Sequence, residues 1–172
     1  SRRPESLRAV LVGDGSLHDE LAGRIAAAQA EDHVLLAGSV PHGEVAAWLA
    51  RADIYVSLNH LGNLSNANLE AMAAGTCMII LDADPQTHTD TETMRLIPED
   101  AALRISREDM AGNLARALES LLDAPGKIES YAAAASRLSK ELLQPWDRRI
   151  EKETDLICHL AREDKAAPCR ST

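Results

Sequence analysis

The sequence predicts an α/β fold in which a parallel β-sheet is covered by helices on both faces. Short apolar runs rich in Val, Leu and Ile alternate along the chain with segments whose apolar residues recur at helical spacing. The apolar runs are continuous, as expected for strands that are buried on both faces of a parallel sheet. With 172 residues, the chain is long enough for one such domain and an appended helix.

These patterns place each element along the chain. The predicted strands cover residues 7–12, 34–37, 53–58, 77–81 and 101–105. The predicted helices cover residues 18–30, 44–52, 66–74, 107–122, 128–143 and 146–161. We therefore expect one domain over residues 1–143, a C-terminal helix within residues 144–163 and a disordered tail at residues 164–172.

Composition and charge exclude several classes of function. The formal net charge of −9 argues against a nucleic-acid partner, because phosphate backbones require clustered Lys and Arg. No lysine precedes Lys127, so a phosphate bound by the first part of the chain needs Arg, backbone amides or another domain. The apolar runs are too short to span a membrane. The six histidines show no metal-ligand spacing, so no metal is expected.

The three cysteines, Cys77, Cys158 and Cys169, are far apart in the sequence and form no recognisable motif. Their odd number and wide spacing favour reduced thiols, as in cytoplasmic proteins. No apolar segment follows the basic N-terminus, so no signal peptide is visible. We therefore expect a cytoplasmic location.

Ligands of parallel sheets bind beyond the carboxyl ends of the strands, which directs attention to the loops there. Gly13-Asp14-Gly15 follows the first predicted strand and opens a helix, as a dinucleotide-binding turn would. The third glycine of that fingerprint falls on His18, which weakens an NAD-binding interpretation. Two interpretations stay open: the glycines allow close approach of a ligand, or they form a plain turn.

The segment at residues 61–75, LGNLSNANLEAMAAG, combines three features of an anion site. A Gly-containing loop leads into a helix, Ser65 is a natural N-cap, and Glu70 lies about one turn inside. The amides and positive dipole end of a helix N-terminus suit a diphosphate, and the following carboxylate is well placed for ribose hydroxyls. The alternative is that Glu70 only complements the helix dipole.

Four blocks in order, LVGDGSLHDEL, HVLLAGSV, ARADIYVSL and NLSNANLEAMAAGTCMIIL, resemble the C-terminal, donor-binding domain of retaining GT-B glycosyltransferases (glycosyl transferases group 1, family 4-like). The resemblance runs over about residues 7–122, and PWDRRIEKE is similar to the family's closing helix. It implies a Rossmann-like sheet with C-terminal helices. It also implies transfer of a sugar from a nucleotide diphosphate sugar with retention, without a metal or other cofactor.

The resemblance also assigns substrate-binding residues. Glu70 would bind the ribose, the amides around Ser65 would hold the diphosphate, and the residues after the second strand would border the base. The implied set is Gly13, Gly15, Ser39, Val40, Asn63, Leu64, Ser65, Asn66, Ala67 and Glu70. No catalytic side chain is assigned within this chain.

The sequence departs from the family at one position of the motif. The family usually has a second Glu eight residues before the one that matches Glu70, and this chain has Gly62 there. In the family that Glu often touches hydroxyls of the donor sugar. Its contact is therefore expected to be absent, or to come from Asn59, His60 or Asn63.

A second departure concerns the start of the chain. The family carries a phosphate-binding Arg and Lys before the strand that matches residues 7–12, and an acceptor-binding N-terminal domain before that. We expect both on a missing part of the same polypeptide, little activity from this chain alone, and membrane contact only through the missing domain. The alternative function is a non-catalytic nucleotide-binding or interaction module of the same fold.

Overall fold

A computed structural model describes residues 7–60, 62, 64–84, 86–87, 89–91, 93–143 and 145–166. The chain forms two compact units, which we call the N-terminal unit (Ser1–Trp48) and the C-terminal unit (Leu49–Thr172). Both units combine parallel strands with helices, which confirms the predicted α/β class. The expectation of one domain over residues 1–143 and a separate helix after it stays a prediction.

The N-terminal unit is built from two parallel strands and the helix that connects them. Its elements are β1 (Ala9–Val12), α1 (His18–Ala27), β2 (Val34–Gly38) and α2 (His42–Leu49), whose last residue opens the C-terminal unit. Strand β1 pairs with β2 in parallel, with Ala9 opposite Val34. All four elements match predicted ones, although their ends differ by one to three residues.

The burial predicted for β1 is wrong. Val10 is 45% exposed, Leu11 40% and Val12 44%. An apolar strand is buried only when helices cover its sheet, and α1, the helix after β1, has no buried residue. Continuous apolar sequence therefore does not ensure burial here.

The C-terminal unit carries a three-stranded parallel sheet in the order β3-β4-β5. Its elements are β3 (Ile54–Ser57), α3 (Asn66–Ala74), β4 (Cys77–Leu81), α4 (Thr93–Leu96), β5 (Leu103–Ile105), α5 (Met110–Leu122), α6 (Pro125–Leu142) and α7 (Trp146–Ala166). Ile54 pairs with Cys77, and Ile79 pairs with Leu103. The central strand β4 is completely buried.

The core of this unit lies between one face of β4 and the helices α5 and α6. Cys77, Ile79 and Leu81 point to the same side because side chains alternate along a strand. They pack against Ile105 of β5 and against Leu121 of α5. This packing holds β4 at the centre of the sheet and defines the edge where the loops emerge.

Helix α3 has the bounds that the sequence predicts. The Ser65 hydroxyl accepts a hydrogen bond from the Asn68 amide at 3.2 Å, which caps the N-terminus. Gly75 ends the helix with a φ of 70°, a left-handed conformation that favours glycine. A Cβ at Gly75 would lie 3.5 Å from the Ser136 Cβ, so this end of α3 passes close to α6.

Four elements differ most from prediction, and one of them, α6, begins at Pro125 instead of residue 128. The short helix α4 was not predicted, and α5 begins at Met110 because Asp109 adopts a left-handed conformation and caps the helix. Helix α7 continues to Ala166, so residues 164–166 of the predicted tail are helical, and residues 167–172 lie outside the described residues. No helix within the described ranges has the length and apolarity needed to cross a bilayer.

Candidate functional site: a helix N-terminus at the carboxyl edge of the C-terminal sheet

The carboxyl ends of β3, β4 and β5 lie at the same edge of the sheet because the three strands are parallel. The loop after β3 leads from this edge directly into α3, so the N-terminus of α3 lies at the edge where parallel sheets bind their ligands. The segments after β4 and β5 emerge at the same edge. This arrangement brings Gly62, Ser65 and Arg107 to one region of the C-terminal unit.

The first turn of α3 is suited to an anion. Ser65, Asn66 and Ala67 stand at its start, and the first amides of a helix have no acceptor within the helix. Asn66 and Ala67 are exposed, and the first turn carries no acidic residue. The positive end of the helix dipole is therefore not compensated by a carboxylate of its own first turn.

A buried hydrogen bond fixes this first turn to the sheet. Asn68 is completely buried, and the Tyr55 hydroxyl donates to its Oδ1 at 3.0 Å. Burial raises the pKa of the Tyr55 phenol, a hydrogen bond with Ser57 opposes that rise, and the nearby charge of Glu70 adds to it. The phenol therefore stays protonated and remains a donor to Asn68.

Glu70 lies where the sequence places it, about one turn inside α3. The residue is half-buried. Its position relative to Ser65 fits a group that accepts hydrogen bonds from a ribose while the helix amides hold the diphosphate. The ribose contact itself stays a prediction.

The loop before α3 is held by its own side chains. Asn59 donates from Nδ2 to the Gly62 carbonyl at 3.0 Å, so this candidate for sugar contacts also fixes the loop. His60 and Leu64 are exposed. Asn63, another predicted binding residue, lies outside the described residues.

The predicted residues of the N-terminal unit lie in the loops after β1 and β2. Gly13 has a φ of 135°, and its amide donates to the Gly38 carbonyl at 2.8 Å. Gly15 has open space around the position of a Cβ, so packing does not require glycine there. Ser39 is exposed and Val40 half-buried, directly after β2. Their predicted roles in binding the donor stay predictions.

The two helix N-termini differ in their suitability for phosphate. Helix α1 has Asp19 and Glu20 in its first turn, and its N-cap Leu17 makes no side-chain cap. Those carboxylates already occupy the positive end of its dipole. The helix after the Gly13-Asp14-Gly15 turn is therefore a weaker anion site than α3.

One ion pair at the carboxyl edge of the β3-β4-β5 sheet was not predicted from the sequence. Arg107, two residues after β5, contacts Asp90 with Nη2 and Oδ2 3.3 Å apart, and its Nε donates to the Asp82 carbonyl at 2.9 Å. The Asp90 side chain is only 2% exposed and that of Arg107 18%. Seventeen residues separate the two, so no local pattern indicates that they meet.

The described residues favour neither a cysteine nucleophile nor a metal centre. Burial raises the pKa of the Cys77 thiol to about 11, so this thiol is neutral near pH 7 and is a poor nucleophile. Within the described part of the chain, no group of three or more His, Cys, Asp or Glu side chains is arranged to hold a metal ion. The independence from metal that the resemblance implies stays a prediction.

Comparison with known families decides the identity of this fold. The sequence model of the family described as Glycosyl transferases group 1 matches residues 1–124. The chain belongs to this glycosyl transferase family. The match confirms the resemblance drawn from the four sequence blocks. Among curated proteins, no sequence matches the chain.

Solved glycosyltransferase structures share the fold. Sucrose-phosphate synthase from Thermosynechococcus elongatus matches with a TM-score of 0.69 and 20% identity, over 90% of this chain and 38% of that one. Anabaena HepE, solved with UDP and with UDP-glucose, matches with a TM-score of 0.65 and 19% identity, over 80% and 37% of the two chains. The C-terminal domain of Francisella tularensis LpcC matches with a TM-score of 0.62 and 18% identity, over 80% and 71%.

At these identities the similarity establishes the fold, which is that of the C-terminal domain of a GT-B glycosyltransferase. This chain spans less than two fifths of the length of sucrose-phosphate synthase and of HepE. The similarity therefore does not establish the donor, the acceptor or the partners of this chain.

Proposed function

We propose that this chain is the donor-binding part of a glycosyltransferase that takes a sugar from a nucleotide diphosphate sugar. The first turn of α3 carries the proposal, because it combines the Ser65 cap, exposed Asn66 and Ala67, and no acidic residue. Glu70 follows about one turn inside α3 and is proposed to accept hydrogen bonds from the ribose hydroxyls. The fold of the solved glycosyltransferases and the UDP and UDP-glucose bound to HepE support this assignment.

The proposed chemistry is departure of the nucleoside diphosphate with retention at the sugar. Negative charge grows on the diphosphate as the bond to the sugar breaks, and oriented amides of α3 stabilise that charge. The proposed reaction uses no protein nucleophile and no metal. The acceptor and the additional cationic groups are proposed to come from an N-terminal domain of the same polypeptide, in the cytoplasm.

The remaining predicted residues have supporting roles in the proposal. Gly13 and Gly15 would line the phosphate and sugar side, and Ser39 and Val40 would border the base. Open space around the Cβ position of Gly15 supports close approach of a ligand. Leu64 and Asn63 precede the cap and would flank the diphosphate.

Calorimetric titration of the chain with UDP, GDP and ADP tests the proposal. We expect one of the three to bind, and Glu70→Ala to weaken that binding by roughly 1–3 kcal/mol, as for the loss of a hydrogen bond to a charged group. Glu119→Ala, which removes an exposed carboxylate from α5, is the matched control and should bind like the wild type. A folded chain that binds none of the three would contradict the proposal.

A second candidate, a non-catalytic nucleotide-binding module, is favoured by one observation. Position 62, where the family usually has Glu, is a glycine with a φ of 143°. A conformation of this kind suits glycine and disfavours a side chain, so a Glu at residue 62 would be strained. Release of nucleoside diphosphate from a nucleotide sugar, measured with the acceptor-binding domain present, would exclude this second candidate.

A further inference from the structure

The inference concerns the segment that precedes α3 and rests on the proposed function. A nucleotide sugar is an elongated molecule in which the diphosphate lies between the ribose and the sugar. With the ribose at Glu70 and the diphosphate at the start of α3, the sugar lies beyond the helix N-terminus. The chain segment there is the one that contains Gly62, three residues before the Ser65 cap.

Gly62 lies against a carboxylate from another loop. A Cβ at residue 62 would be 3.5 Å from Oδ1 of Asp90. The φ of 143° at Gly62 belongs to the region that favours glycine. The backbone conformation of residue 62 therefore favours glycine, and Oδ1 of Asp90 lies in van der Waals contact with the position that a Cβ would take.

Asp90 is itself held in an uncommon conformation. Its φ of 62° is left-handed, which Asp tolerates better than most residues at some energetic cost. Its carboxylate is 2% exposed and is paired with Arg107. A charge so nearly buried requires a partner, because an uncompensated buried charge is strongly destabilising.

Arg107 connects three parts of the carboxyl edge. Its Nη2 contacts Asp90, its Nε donates to the Asp82 carbonyl after β4, and its own backbone follows β5. Two directed contacts from one planar guanidinium fix the position of the carboxylate better than a single point charge would. The pair thus places the Asp90 carboxylate between the sheet edge and Gly62.

We propose that the Asp90–Arg107 pair is a positioning pair for the sugar end of the donor. From the loop after β4, it shapes the Gly62 backbone over which the sugar lies. Because Asp90 is nearly buried, it acts through the Gly62 loop and not by direct contact with the sugar.

The test compares a nucleoside diphosphate with its glucose conjugate. The probes are whichever of UDP, GDP and ADP binds the chain, together with UDP-glucose, GDP-glucose or ADP-glucose to match, titrated calorimetrically. Asp90→Asn keeps the shape but removes the charge that pairs with Arg107, so the Gly62 loop is held less firmly. It should weaken binding of the sugar conjugate about tenfold more than binding of the diphosphate. Arg107→Lys should also weaken the sugar conjugate more than the diphosphate, but by a smaller factor. Lys keeps the positive charge but lacks the planar guanidinium that donates in two directions.

The matched control is Arg116→Gln, which breaks an exposed pair with Asp109 at the start of α5. It should leave both affinities unchanged. Equal weakening of both ligands in Asp90→Asn, or no weakening, would overturn the inference and leave the proposed function in place. If Asp90→Asn does not fold, Arg107→Lys carries the same comparison. A wild-type chain that binds no nucleoside diphosphate would remove the proposed function and the inference together.

Discussion

Strands β1 and β4 are both short apolar runs in parallel pairs, but their environments are opposite. Every residue of β4 is fully buried, whereas Val10, Leu11 and Val12 of β1 are about two fifths exposed. The difference arises from what covers each strand. Helices α5 and α6 pack on β4, while α1 buries no residue. Stability is therefore expected to be concentrated in the C-terminal unit, which also carries the start of α3.

The largest expected difference is between two leucines. Leu81→Ala in β4 should lower the free energy of unfolding by about 3–4 kcal/mol, because it leaves a cavity in a packed core. Leu11→Ala in β1 should cost about 1 kcal/mol or less, since that side chain is partly exposed already. Urea denaturation of both variants measures the difference. Equal losses would show that β1 is as well packed as β4.

The pKa of the Cys77 thiol gives a pH-dependent test of the burial of β4. This pKa is raised from 9.0 to about 11, so the folded state favours the neutral thiol. This contribution to stability is fully present below pH 9 and is lost as the pH rises through 11, by up to roughly 2–3 kcal/mol. Denaturation of wild type and Cys77→Ala between pH 8 and 11 should show the additional alkaline loss only in the wild type. Parallel pH curves for the two proteins would contradict the burial of the thiol.

The N-terminal ends of α3 and α1 provide a smaller contrast. Ser65→Ala removes a cap and should destabilise the protein by about 1 kcal/mol. Leu17→Ala, at the N-cap of α1, should change stability by less than about 0.5 kcal/mol, because Leu17 is exposed and makes no cap. Thermal unfolding of the two variants measures both effects. A larger loss for Leu17→Ala would reverse the comparison between the two helices.

Two glycines of the N-terminal unit provide the last contrast, with effects of about 1 kcal/mol or less. Gly23→Ala in the middle of α1 should stabilise the protein by about 0.5–1 kcal/mol, since nothing lies near its Cβ position. Gly15→Ala should leave stability within about 0.5 kcal/mol and weaken nucleotide binding if a ligand approaches that turn. Thermal unfolding measures the change in stability, and calorimetry measures the change in nucleotide binding. Unchanged binding in Gly15→Ala would remove this turn from the proposed site.

Sequence reasoning worked best where local chemistry decides the structure. The bounds of α3 were predicted because a Ser cap and a terminal Gly act within a few residues, and those of β4 because five apolar residues lie between polar ones. The start of α5 was missed because Arg107 and Asp109 serve the loop and the cap instead of extending the helix. The pairing of Asp90 with Arg107 depends on how two loops meet, which no local pattern encodes.

The exposure of β1 was missed for a related reason. An apolar run indicates a strand, but its exposure depends on which helices cover the sheet, and that is a property of the whole fold. At the site, Ser65, Asn66 and Ala67 were predicted as the start of a helix and are found there. The anchoring of Asn68 by Tyr55 was not anticipated, because a buried Asn has no distinctive signature in sequence.

The central claim is that the start of α3 binds the diphosphate of the donor. Backbone amide shifts of the labelled chain, followed by NMR during titration with UDP, GDP or ADP, test it most directly. The claim predicts the largest shifts at the amides of Ser65, Asn66 and Ala67, with smaller changes near Glu70. Shifts confined to residues remote from α3, or no shifts at saturating nucleotide, would contradict it.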